Sequence, residues 1–183
     1  LFALLAPAAV AGVAVLVHAL PGMGPAASLQ VEMPGQVAGL SPWVLAPILF
    51  LVNVFLGGAL CEELGWRGFM LPRLQERYGP ARASLVLGVT WGLWHLPLFF
   101  IAGTVQSRIP FLLFLLSTCA SSFLFTWVSD RGRGSVLLAV LLHAAINTTA
   151  SVAPVAPHDW TLLALTWGLV GVLYLAPARR VVT

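Results

Sequence analysis

Lysine is absent from the 183 residues, and charged side chains of every kind make up only 8% of them. Soluble domains carry about a quarter of their residues as charge, so a water-solvated surface is excluded. Cysteine is scarce as well. Cys61 and Cys119 are too few for a disulfide framework, and with no CxxC pair they are expected inside spans as small packing thiols. A Gly-rich phosphate loop and low-complexity tracts are both missing, which removes the usual signs of a nucleotide-binding protein or a flexible linker. The sequence also lacks an initiator Met and a basic segment with a small-residue cleavage site. It is therefore expected to be part of a longer chain, truncated at its N-terminus, with further spans upstream.

What the sequence has in abundance is apolar length. Hydrophobic residues make up 60% of the chain, and the mean hydropathy is +0.97. Runs close to the roughly 20 residues needed to cross a bilayer recur along it. Six spans are predicted, at 1–20, 43–70, 82–101, 110–128, 135–152 and 160–177. The predicted fold is all-α, a single polytopic transmembrane helical bundle over 1–183. The arginines sort by side. Arg73, Arg77 and Arg82 fall in 71–82, Arg131 and Arg133 in 129–134, and Arg179 and Arg180 at the C-terminus, whereas 21–42, 102–109 and 153–159 hold only Arg108. The positive-inside rule places the Arg-rich connections and the C-terminus in the cytoplasm. Because these arginines flank spans and form no continuous basic face, no nucleic-acid partner is implied and the lipid bilayer is the expected one.

Polar groups within the spans carry the functional signal, since a charge at mid-bilayer costs about 2.5–3.5 kcal/mol on insertion scales. Glu62, Glu63 and Arg67 lie in the second predicted span, His95 in the third, and His143 and Asn147 in the fifth. Glu62 is 11 positions from Arg73, His95 is 13 from Arg82, and His143 and Asn147 are 10 and 14 from Arg133. At 1.5 Å per residue all four fall in one layer, roughly 15–21 Å from the cytoplasmic markers. His143 and Asn147 are i,i+4 and share a helix face. Glu63 and Arg67 share the same spacing and can neutralise each other, leaving Glu62, about 100° round the helix, to face elsewhere. Gly88 and Gly92, with Ser117, Ser121 and Ser122, are read as close-packing positions. His18 and His158, near the outer ends of spans, are assigned no chemistry. Pro72, Pro97 and Pro110 mark places where a helix ends or unwinds.

A carboxylate and an imidazole sharing a water can remove its proton, which assigns Glu62 and His95 as joint general base. N–H donors from His143 and Asn147 suit a developing oxyanion. The same groups could instead hold a catalytic zinc ion with an open water position, and the residues alone do not choose, although the zincin HExxH pattern is absent. A proton-coupled transporter would also use intramembrane Glu and His, but no repeat of either motif is present.

The order Glu62-Glu63-x-x-x-Arg67, Trp91-x-x-x-His95, His143-x-x-x-Asn147 resembles the CPBP family of intramembrane proteases. That family includes type II CAAX prenyl endopeptidases and bacteriocin-processing and immunity (Abi) relatives. The resemblance covers about 43–152, and Trp91 stands where Phe is more usual. It implies an endopeptidase core of about eight spans, with water activated by Glu62 and His95, the oxyanion held by His143 and Asn147, and Glu63, Arg67 and Trp91 in support. Because the family is often classed with metalloproteases, the resemblance admits one Zn²⁺, with Glu62, Glu63, His95 and His143 as candidate ligands. The chain looks bacterial, which predicts an inner-membrane location and a membrane-associated peptide or protein as substrate. A non-proteolytic immunity or scaffold role is the alternative.

Overall fold

The computed structural model describes residues 1–23, 41–153, 155 and 159–175. Among the described residues, seven α-helices run in the order α1 (Phe2–His18), α2 (Pro42–Phe55), α3 (Ala59–Gly65), α4 (Leu71–Trp94), α5 (Phe111–Arg131), α6 (Val136–Val152) and α7 (Trp160–Leu175). A π-helical turn, Trp66–Met70, joins α3 to α4, and 3₁₀ turns occupy Leu96–Phe100 and Gln106–Arg108. By length and composition the helical run Ala59–Phe100 and helix α5 can cross a bilayer, and shorter apolar helices pack beside them. The distribution of polarity is that of a membrane bundle. Leu16, Leu51, Leu64, Leu112, Leu137 and Val172 are exposed on the outside, while Glu63, Arg67, Ser84, Ser122, Thr126 and His143 are buried within.

The expected second span, 43–70, is not one helix. It breaks after Phe55, and Gly58 there adopts φ 87°, a left-handed conformation that Gly reaches without a Cβ penalty. The expected connection 71–82 is likewise largely helical. Pro72 does not end a helix, because it sits at the start of α4 directly after the π turn, where a missing N–H is tolerated. The chain reverses instead at Gly79 (φ 74°, ψ 169°). Leu71 before this kink packs with Ala83 and Leu87 after it, joined by Trp66, Met70 and Leu74, so the two arms fold onto each other. The other predicted spans match helices to within a few residues. Pro97 falls in the first 3₁₀ turn, and Pro110 caps α5. His158, Arg179 and Arg180 lie outside the described residues.

Close packing of α4 on α5 comes from the small residues. A Cβ on Gly88 would lie 2.7 Å from the Cys119 backbone, and one on Gly92 would lie 2.8 Å from Thr118 Oγ1. Ser122 is fully buried beside Gly88, whereas Ser117 and Ser121 line a cavity of about 140 Å³ among α1, α5, α6 and α7. Cys119 is buried as expected, but Cys61 faces outward. At the end of α1, His18 Nε2 lies 3.1 Å from Asp159 Oδ1. That same oxygen accepts from the Thr161 and Leu162 backbone N–H groups at 2.8 and 3.3 Å, capping α7. Burial of Asp159 favours its protonated form, yet these donors outweigh it and hold the carboxyl below the usual range.

Candidate active site

The two adjacent glutamates diverge as helical geometry requires. Glu63 is fully buried, and Arg67 Nη1 donates to both of its oxygens at 2.9 and 3.0 Å. Arg67 sits in the π turn, which still leaves it one turn from Glu63. Its guanidinium lies 3.8 Å from the Phe125 ring centroid and 5.0 Å from that of Trp91. These ring faces stand in for water around a buried cation whose Nη2 has no hydrogen-bond partner among the described residues.

Glu62 turns toward α4. The Trp91 indole Nε1 donates to Glu62 Oε2 at 2.9 Å. Its other oxygen, Oε1, would lie 2.7 Å from a Cβ on Gly58, so the break before α3 also makes room for the carboxylate. Trp91 is a hub for the remaining groups. Its ring centroid is 6.0 Å from that of His95 and 5.5 Å from that of His143, both edge-on. His95 is also flanked by Trp94 and Phe114, at 4.9 and 5.1 Å between centroids. Side chains from α3, α4 and α6 thus meet around one indole.

The two imidazoles are held by their Nδ1 atoms. His95 Nδ1 is 2.9 Å from the Trp91 carbonyl oxygen, which can only accept, so Nδ1 carries the proton and Nε2 is left for chemistry. His143 Nδ1 is 2.8 Å from Glu63 Oε1. Asn147 is half-buried one turn further along α6, and its side-chain amide bonds to nothing among the described residues. Glu62, His95 and His143 are therefore brought together, with Asn147 adjacent on the His143 face.

Glu62, Glu63, His95 and His143 do not fit a metal-ligand set. Both Glu63 oxygens face the Arg67 guanidinium, Oε1 also receives His143, and a divalent cation there would meet a positive charge. Among the described residues, no three His, Cys, Asp or Glu groups are gathered as metal ligands. Two participants were not singled out from sequence. Phe125 and Phe114 are ordinary aromatics of an apolar span, and only their place on the face of α5 toward α4 marks them.

The profile of the type II CAAX prenyl endopeptidase Rce1-like family matches residues 43–149. A relative from Methanococcus maripaludis, CAAX prenyl protease 2, is 39% identical over 107 residues, or 55% of this chain and 38% of the relative. The chain thus matches well under half the length of that relative. The matched segment runs from α2 to α6 and contains each of the residues gathered around Trp91. With more than half of its length matched and all three motifs in place, the chain belongs to the type II CAAX prenyl endopeptidase Rce1-like family.

Proposed function

We propose that this chain is the catalytic part of an intramembrane endopeptidase that hydrolyses a peptide bond in a membrane-associated peptide or protein. The observation that carries this reading is the convergence on Trp91 of a carboxylate from α3, an imidazole from the C-cap of α4 and an imidazole from α6, inside an apolar bundle. Such an arrangement concentrates acid–base groups where water is otherwise excluded.

Glu62 Oε2 is held by the indole, and Oε1 accepts no hydrogen bond among the described residues. Oε1 takes a proton from water as the water oxygen attacks the carbonyl carbon. His95 Nε2, with Nδ1–H committed to the Trp91 carbonyl, accepts the second water hydrogen and aligns the nucleophile. The carbonyl π electrons move to oxygen, where the Asn147 amide and His143 donate to the oxyanion. When the tetrahedral intermediate collapses, the Glu62 carboxyl returns its proton to the leaving nitrogen. Glu63 and Arg67 neutralise each other beside these groups. The protein resides in the bacterial inner membrane with its Arg-rich side cytoplasmic, and its substrates reach the site from the membrane.

The test is cleavage by purified protein in liposomes offered a peptide library presented both free and lipid-anchored. Glu62→Ala and His143→Ala are each expected to abolish turnover. Cleavage at the wild-type rate by both variants would end this reading. Stable, folded protein that cleaves nothing would favour an immunity or scaffold role.

A further inference from the structure

Glu63 Oε1 receives two contacts at once, Arg67 Nη1 at 2.9 Å and His143 Nδ1 at 2.8 Å. An ionised carboxylate only accepts, and Arg67 can only donate, so the proton between Glu63 and His143 belongs to Nδ1. The unit is sealed. Glu63 is fully buried and Arg67 and His143 are nearly so, and the Phe125 ring closes the side toward α5, 3.8 Å from the guanidinium and 5.9 Å from the His143 ring.

We propose that Glu63 is a positioning residue for His143: anchored by Arg67, its carboxylate fixes the ring with Nδ1 protonated, so that Nε2 alone faces the reacting groups. This rests on the proteolytic reading for its purpose, though not for its geometry. It also revises how His143 can donate. With Nδ1–H committed to Glu63, an N–H at Nε2 exists only when the ring carries both protons. Glu63 is the anion that accompanies that state. The other charged or titratable groups facing the ring's surroundings are Arg67 from the π turn, Glu62 across Trp91 and His95 at the C-cap of α4, while Phe125 contributes only an aromatic face. Glu62 and Glu63 are each balanced by one cation when His143 is doubly protonated, which leaves the enclosed cluster without net charge. An i,i+4 pair with Arg67 would by itself make Glu63 a packing residue. The third contact, reaching 80 positions along the chain to α6, gives it a directional task.

The chain has four histidines, few enough for ring-¹⁵N labelling of the protein in nanodiscs, with His143→Gln identifying the His143 signals. The wild-type His143 ring is expected to have Nδ1 protonated throughout the pH range in which the protein is folded. Glu63→Gln, whose carbonyl is claimed by Arg67 and whose amide then faces the ring, is expected to turn the neutral ring to the Nε2–H form. That ring still donates to the oxyanion but without a positive charge, so kcat is expected to fall by less than the about 10²–10³-fold that follows loss of a whole oxyanion donor, with partial recovery in Glu63→Asp. An Nε2–H neutral ring in the wild type, or spectra unchanged by Glu63→Gln, would overturn the proposal. If Glu63→Gln does not fold, the wild-type spectrum alone decides. The ring spectra need no turnover, so protein that cleaves nothing yet has the stated tautomer would count against the protease reading and leave this one standing.

Discussion

Two carboxylate–imidazole pairs occupy this bundle, and their surroundings give them different work. Glu63–His143 lies in the interior at 2.8 Å, with side-chain exposures of 0% and 6%. His18–Asp159 ties the end of α1 to the start of α7 at 3.1 Å, with 11% and 12%. In the first pair the remaining acceptor capacity goes to a guanidinium stacked on two aromatic rings. In the second it goes to two backbone N–H groups of a helix terminus. A helix end needs an acceptor there whatever the chemistry nearby, so His18–Asp159 is a fastener. No backbone end requires Glu63, and both of its oxygens accept from a dedicated arginine. Composition does not separate the two pairs, but the third partner does.

The widest separation between them is expected in activity. Replacing Trp91 by Phe keeps the aromatic hub but deletes the donor to Glu62 Oε2, and it is expected to reduce kcat about 10–100-fold, as loss of a supporting hydrogen bond does. Asp159→Asn is expected to leave kcat unchanged in the same liposome assay, and equal losses in both variants would erase the distinction. A stability comparison comes next. Arg67→Leu strands a buried carboxylate and is expected to destabilise the protein by about 3–5 kcal/mol, with much of that recovered when Glu63→Leu is added. Thermal unfolding in detergent reads both, and a double variant no better than the single one would mean that packing outweighs charge. Gly92→Val, at the contact with Thr118 and Leu115, is expected to cost about 1–3 kcal/mol by overpacking, with no change in which bonds are cleaved.

The smallest effect belongs to the fastener. Loss of the cap in Asp159→Ala is expected to cost about 1 kcal/mol at neutral pH. Because the folded-state carboxyl titrates below its ordinary value, its contribution is complete above the normal carboxylate range near pH 4 and disappears as pH falls through the folded value. Melting temperatures of wild type and variant should therefore converge as the medium is acidified below about pH 4. A gap that widens on acidification would show that Asp159 acts through something other than its charge.

Much of this was legible in the sequence because a few rules govern membrane helices strongly. Apolar length gave the helices, the i,i+4 spacing gave Glu63–Arg67, and small residues at i,i+4 gave the α4–α5 contact. The helix breaks were harder to see. In a uniformly apolar stretch the signal that ends a helix is faint, so Gly57-Gly58 passed within a single predicted span. The Arg-rich residues 71–78 resemble a connection because charge commonly marks a loop, yet a helix can project past the hydrocarbon and keep its arginines in water. Contacts between distant segments, such as Trp91 with Glu62 and His143 with Glu63, follow from how helices rotate against each other. A one-dimensional pattern carries that rotation only through shared depth, so the meeting of the motifs could be anticipated but not the pairing of atoms within it.

The π turn at Trp66–Met70 adds to this a vulnerability of register. It holds one residue more per turn than the helices on either side, so the face of α3 bearing Glu62 and Glu63 is phased against α4 by that surplus residue. Inserting a second surplus residue there, beside Gly68 for instance, could not be absorbed by a turn that is already wide and would rotate everything before it by about 100°. Every span would survive, and the protein would insert and melt much as before, with its carboxylates aimed at lipid. Catalytic aim in this bundle is thus stored as a count of residues, and it can be lost without any loss of helix.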